Sequence, residues 1–132
     1  MRDAECYHLR EETDIAIAVM GSFTYSQTCS LGAQQVSEVA TTVSELATNV
    51  IKYAGGGEVW IEYLSERGEQ GVRVTVIDRG PGIADLESAL MDHFSTGQSL
   101  GLGLPGVRRL MDEFSISTSA QGTRVTVTKW RR

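Results

Sequence analysis

The chain has 132 residues, 41% hydrophobic and 22% charged, which suits a single globular domain that buries a core of its own. Seventeen acidic residues against twelve basic ones leave a formal charge of −5, which argues against a nucleic-acid binder, since such a protein needs a basic patch. No apolar run approaches the ~18 residues of a membrane span, and an N-terminus carrying Arg2, Asp3, Glu5, Arg10, Glu11, Glu12 and Asp14 does not read as a signal peptide.

In chain order, residues 4–9 form a candidate strand with Tyr7 and Leu9 on one face. From Thr13 the pattern becomes helical, with Thr13 or Asp14 able to cap and Ile15, Ala18, Val19 and Ser22 sharing a side. Ser30-Leu31-Gly32 interrupts it. A long second helix is expected from Ala33 to Tyr53, where Val36, Val39, Ala40, Val43, Leu46, Ala47, Val50 and Ile51 recur at three- and four-residue steps. The run Gly55–Gly57 ends it. The period then changes to two: Val59, Ile61 and Tyr63 alternate with Glu58 and Glu62, and Val72, Val74 and Val76 with Arg73 and Thr75, around a hairpin loop at 66–69. A short helix is predicted at Asp85–Met91 and another from Pro105 to Phe114, with Val107, Leu110 and Met111 inward. Two final strands, 115–120 and 123–130, meet at Gln121-Gly122. Cys6 and Cys29 stand in apolar contexts without metal-like spacing, so they read as reduced core thiols of a cytoplasmic protein.

Helices early and alternating strands late imply an α+β fold: one domain, 1–132, built as a two-layer sandwich with helices on one face of a mixed, mostly antiparallel sheet. Glu58, Glu62, Arg73, Thr75, Thr126 and Thr128 form the expected solvent face. The stretch 83–100 exceeds normal connector length, as a lid does.

The candidate chemistry begins in the glycine-rich span from Asp78 to Gly106. Gly101-Leu102-Gly103-Leu104-Pro105-Gly106 runs directly into a helix, with Pro105 suited to its first turn. Glycines there allow backbone N–H groups to approach a phosphate. The spacing Gly101-x-Gly103-x-x-Gly106 also matches the dinucleotide fingerprint, but no strand precedes it and no βαβ unit surrounds it. The P-loop and ordinary protein-kinase signatures are absent. On the long helix, at roughly 100° per residue from Val43, Glu45, Asn49 and Lys52 fall near 200°, 240° and 180°, together opposite the apolar stripe. An asparagine oxygen suits Mg²⁺, a carboxylate one turn earlier suits proton acceptance, and a lysine one turn later suits a phosphate.

Together these residues resemble the GHKL ATPase/kinase superfamily, which includes gyrase, Hsp90 and the histidine kinases. Glu45-x-x-x-Asn49 resembles its N box and Asp78-Arg79-Gly80-Pro81-Gly82 its Asp-x-Gly-x-Gly box. Gly101-Leu102-Gly103-Leu104 resembles the second glycine box and Gly122-Thr123 the final Gly-Thr. The resemblance implies a Bergerat-fold ATP site with Asn49 on Mg²⁺, Asp78 accepting from the adenine amino group, Thr123 assisting, and 83–100 as the ATP lid. Gly80, Gly82, Ile83, Gly101, Leu102, Gly103 and Leu104 would complete the nucleotide contacts. Glu45 would be the base and Lys52 the phosphate cation, with Arg79, Arg108 and Arg109 as rivals.

Within the superfamily the chain is similar to the small anti-sigma and switch serine kinases. Phe94-Ser95-Thr96, the run Gly103 to Phe114 and the Lys129-Trp130 ending carry that similarity. It implies transfer of the ATP γ-phosphate to serine or threonine of STAS-type scaffold or antagonist proteins in a bacterial stress-signalling complex. It further implies activation of a phosphatase by binding, with neither nucleic acid nor membrane as partner. The competing expectations are a nucleotide-gated anti-sigma factor or binding module with secondary kinase activity, and a histidine kinase's detached ATP domain.

Overall fold

The period-two runs pair into a sheet, and the apolar stripe of residues 33–51 lies across one of its faces. This computed structural model describes residues 2–91 and 102–132. Its elements in order are β1 (Glu5–Leu9), α1 (Thr13–Thr28), α2 (Ala33–Asn49), a π-turn (Val50–Ala54), β2 (Gly57–Glu66), β3 (Glu69–Asp78), α3 (Leu86–Leu90), α4 (Leu104–Leu110), β4 (Glu113–Ser119) and β5 (Gly122–Trp130). The strands lie in the order β1-β2-β3-β5-β4, and all four pairings are antiparallel. The α+β sandwich is therefore the observed fold, with antiparallel pairing throughout the described sheet.

Hairpin chemistry sets the registers. Arg67 and Gly68 both have positive φ, 52° and 82°, the two-residue turn whose twist matches antiparallel strands. It pairs Glu66 with Glu69 and carries the register back to Gly57 opposite Asp78. Between β4 and β5 the turn is Ala120-Gln121, one residue earlier than expected, because Gly122 already pairs with Ser119.

The core lies between the sheet and α1 and α2. Val36, Val39 and Val43 of α2 meet Val59, Ile61 and Val74 of the sheet, and all six are buried. Burying such side chains stabilises by about 1.5–3 kcal/mol each. Tyr25 of α1 is fully buried, and its hydroxyl accepts the Tyr63 N–H at 2.9 Å. Strand β1 pairs with β2 only as far as Ile61, so Tyr63 would otherwise lack a partner on that edge. Gln35 ties the start of α2 to the chain end: its amide donates to the Trp130 carbonyl at 2.6 Å, and its oxygen accepts from Gly32 N at 3.1 Å.

Three sequence expectations shift. Helix α4 stops at Leu110 rather than Phe114. The Leu110 carbonyl accepts from buried Lys129 at 2.6 Å and the Asp112 carboxylate accepts from Trp130 N at 2.7 Å, so the end of β5 draws the chain out of the helix. Thr128, expected on the solvent face, is buried, because its register neighbours are the long side chains of Arg73 and Glu113. Cys29 is a core thiol, but Cys6 pairs with Trp60 on the opposite face of the sheet and is half-buried. Burial raises both thiol pKa values. No helix among the described residues is long and apolar enough to cross a membrane.

Gly57 joins fold to site. A Cβ there would overlap the Ile77 carbonyl oxygen and lie 3.0 Å from Val50 Cγ1. Gly57→Ala is therefore expected to destabilise the domain by about 1–3 kcal/mol, the usual cost of overpacking. Gly106, on α4, has open space where its Cβ would be; Gly106→Ala should be neutral or stabilising by up to about 1 kcal/mol. Thermal unfolding of the two variants beside the parent protein measures the contrast.

Candidate functional site

One cavity opens between the end of α2, the end of β3 and the start of α4. Leu46, Val50, Ala54, Val76, Ile83, Leu102, Leu104 and Val125 supply apolar walls, and Tyr53, Asn49, Asp78 and Thr123 supply the polar groups. An apolar cleft with a few placed polar groups suits a flat heteroaromatic ligand. Of the residues singled out from sequence, Asn49, Asp78, Gly82, Ile83, Leu102, Leu104 and Thr123 all line this cavity. They come from positions far apart in the chain, and the sheet order unites them by placing β3 beside β5.

Asp78 is the last residue of β3, flanked by Gly57 on β2 and Thr123 on β5. Its Oδ1 accepts the Gly80 N–H at 2.9 Å and the Thr123 N–H at 3.2 Å. The second oxygen takes no protein donor among the described residues, so it can accept from a ligand. The loop after Asp78 is held against the β4–β5 hairpin: Ile83 N donates to Thr118 Oγ1 at 2.9 Å, and that hydroxyl lies 2.8 Å from Thr123 Oγ1.

Glu45 and Asn49, one turn apart on α2, both meet the segment that enters α4. Asn49 Nδ2 donates to the Leu102 carbonyl at 2.5 Å, which leaves its Oδ1 free of protein partners among the described residues. Gly103 has φ of 68°, the left-handed region that favours glycine, and a Cβ there would overlap the Glu45 carboxylate. The segment Leu102-Gly103 is thus brought against Glu45 and Asn49 of the helix. Glu45 itself is exposed and borders the cavity rather than lining it.

The expected cations lie differently. After Asn49 the backbone leaves α-helical spacing for the π-turn, with Gly55 N bonded to Val50 O. A uniform 100° step therefore misplaces Lys52, which is exposed with its ammonium 5.2 Å from the Tyr53 ring centroid. It does not line the cavity, although Tyr53 does. Arg79 is turned away by a two-pronged pairing with Glu58, at 2.6 and 2.9 Å, which also holds the Glu58 carboxyl below its ordinary pKa. Arg108 and Arg109 are exposed in the last turn of α4.

Of the expected lid, 83–91 is described, and it is attached to the body: Ile83 and Leu90 pack on the core and Ala89 is buried. Asp85 caps α3 by accepting the Ser88 N–H at 3.1 Å. Gly101, Phe94-Ser95-Thr96 and the rest of the lid lie outside the described residues. The sequence did not assign Leu46, Tyr53 or Val125 to the cavity, or Thr118 to its edge. Thr118 was the one with a usable signal, since a two-residue turn sets it opposite Thr123.

Residues 9–129 match the family described as Histidine kinase-like ATPase domain. The chain is 40% identical to the serine/threonine-protein kinase RsbT of Bacillus subtilis, over 100% of both chains. It is 36% identical to an anti-sigma F factor of Bacillus licheniformis, covering 72% of this chain and 69% of that one. Among solved structures, the RsbU and RsbW domains of a Mycobacterium tuberculosis protein superpose with a TM-score of 0.70 at 17% identity, over 99% of this chain and 34% of that one. The catalytic domain of the histidine kinase ThkA gives 0.54 at 15% identity, over 95% of each. These two likenesses establish the fold. The chain belongs to the histidine kinase-like ATPase family and is an ATP-dependent kinase of its small, partner-switching kind.

Proposed function

We propose that this protein transfers the γ-phosphate of ATP to a serine or threonine of a small STAS-type partner domain in a bacterial stress-signalling complex. Once released from that complex it would activate a phosphatase by binding it. The observation that carries this reading is the convergence of Asn49, Asp78, Ile83, Leu102, Leu104 and Thr123 on one cavity with Glu45 at its border. The 40% identity to a serine/threonine kinase along the whole of both chains supports it. The anti-sigma relatives keep a second reading in play, a nucleotide-gated binding module with secondary kinase activity.

In this reading the base lies between the apolar walls, and its amino group donates to the free oxygen of Asp78. Gly80 shapes that contact through its N–H on Asp78 Oδ1. Asn49 fits a Mg²⁺ site: its nitrogen is committed to Leu102, which presents the harder atom, its oxygen, as the available ligand. Held by the nucleotide's phosphates and that oxygen, the ion would neutralise charge on the transferring group. Glu45 lies beside Gly103, where the phosphates would run, and accepts the proton of the incoming hydroxyl. Lys52, next to the cavity-lining Tyr53, remains the candidate phosphate cation, with Arg108 and Arg109 as alternatives and Arg79, paired with Glu58, as a third. Phosphoryl transfer relies chiefly on positioning and charge neutralisation, so one base and one metal ligand are sufficient equipment.

Asp78→Asn tests the base-binding role. To keep the Gly80 and Thr123 bonds, the amide must place its oxygen where Oδ1 is and its NH₂ toward the ligand, donor against donor. Losing the charge-assisted bond costs about 1.5–3 kcal/mol, so Mg·ADP affinity by calorimetry should fall roughly ten- to a hundredfold. An unchanged affinity removes Asp78 from the base site.

Glu45→Gln separates the kinase from the binding module. Mg·ADP affinity should stay within a few-fold of the parent protein, while phosphate transfer to a STAS-domain acceptor falls about 10²–10⁴-fold, the usual worth of a positioned base. Transfer within a few-fold of the parent would exclude Glu45 as the base.

A further inference from the structure

We propose that Thr118, which does not touch the cavity, is a positioning residue that makes Thr123 a hydrogen-bond donor toward the ligand and so helps select a 6-amino purine over a 6-oxo purine. The inference rests on the cavity being a purine-nucleotide site.

Thr118 is half-buried on β4, directly across the hairpin from Thr123, and only Thr123 of the pair lines the cavity. A threonine hydroxyl has one proton to give and two lone pairs. One lone pair of Thr118 Oγ1 receives the Ile83 N–H at 2.9 Å. Its 2.8 Å contact with Thr123 Oγ1 can run in either direction. If Thr123 donated to Thr118, it would present only lone pairs to the cavity. If Thr118 donates, the proton of Thr123 is left free to point inward.

The Ile83 N–H decides between them. By donating into Thr118 Oγ1 it polarises that hydroxyl and strengthens it as a donor, so bonds running in one direction reinforce each other. The chain is then Ile83 N–H to Thr118 O–H to Thr123 O–H to the ligand. The residue before it brings Ile83 close against the hairpin. Gly82, with φ of 81°, sits so close to the hairpin that a Cβ there would overlap the Ser119 carbonyl and lie 3.0 Å from Thr118 Oγ1.

The cavity then offers two groups of opposite polarity side by side. Asp78 supplies an acceptor through its free oxygen, and Thr123, one register step across on β5, supplies a donor. A 6-amino purine has the matching edge, an amino donor beside the N1 acceptor. A 6-oxo purine has the reverse, a carbonyl acceptor beside an N1–H donor. Asp78 alone sets half of this code; Thr118 sets the other half through Thr123.

Calorimetry of the full chain with Mg·ADP and Mg·IDP tests it, because the two bases differ at the 6-position and N1 only. Thr118→Val removes the hydroxyl at nearly constant shape and should lower the ADP-over-IDP preference about five- to tenfold, the worth of one hydrogen bond. Thr118→Ser, which restores the hydroxyl, should keep the preference within about twofold of the parent protein. In a Thr123→Val background, Thr118→Val should change the preference by less than about twofold, since it acts through Thr123. If Thr118→Val lowers the thermal midpoint enough to empty the folded state, Thr118→Ala, which removes the hydroxyl by truncation instead of setting a methyl against the Ile83 N–H, gives the same reading. An unchanged preference, an equal loss for both nucleotides, or an equal effect with and without the Thr123 hydroxyl each overturns the proposal. A parent protein that binds neither nucleotide overturns the nucleotide-site reading itself, and the Thr118 role with it; a parent that binds ADP with an unaltered preference in Thr118→Val overturns the Thr118 role alone.

Discussion

The carboxylate of Asp78 is the constraint on which the site depends. One oxygen gathers the N–H groups of Gly80 and Thr123, so the loop after β3 and the strand β5 are fixed by the same atom. Two such bonds hold a carboxylate in one rotamer, and a fixed rotamer is what leaves the second oxygen aimed at a ligand. Gly57 makes this possible from the other side. With no side chain it lets β2 approach β3 closely enough for Asp78 to end the strand at the cavity floor.

Helix α2 serves two purposes at once. Its valines bury the inner face of the sheet, while Glu45 and Asn49 meet the segment that enters α4. An ordinary helix would continue in the same phase. The π-turn at 50–54 changes it, bringing Tyr53 and Ala54 to the cavity wall and leaving Lys52 on the outside, against the Tyr53 ring. Inserted turns of this type recur at functional sites because they re-aim side chains without ending the helix.

The far end of the domain is tied by the chain's last residues. Lys129 is buried, pairs with Glu38 of α2 at 2.9 Å and donates to the last carbonyl of α4. Trp130 donates its indole N–H to Glu113 at 2.7 Å and its backbone N–H to Asp112. A buried ammonium is stable only when its donors are met. Lys129 meets that condition by holding together α2, α4 and β5, the elements whose other ends form the cavity.

What the sequence determined by itself was everything carried by local spacing. The three-and-four rhythm of Val36 to Ile51 forces an amphipathic helix, and the period of two in 59–63 and 72–76 forces strands with one buried face. The order of the glycine-rich stretches and of Glu45-x-x-x-Asn49 was legible too, because a family's site residues keep their sequence intervals wherever the backbone between them is regular. The rest was decided only in three dimensions. Whether Lys52 lines the cavity depends on a change of helix type that no residue announces; Arg79 is withdrawn by Glu58, twenty-one residues earlier, across paired strands. Thr128 is covered by neighbours on two other strands, and α4 ends where Lys129 and Asp112 meet rather than where its apolar period fails. Local periodicity fixes which face of an element is apolar, but which polar group meets which is set by strand register and by the approach of distant segments, and those exist only once the sheet has closed on its helices.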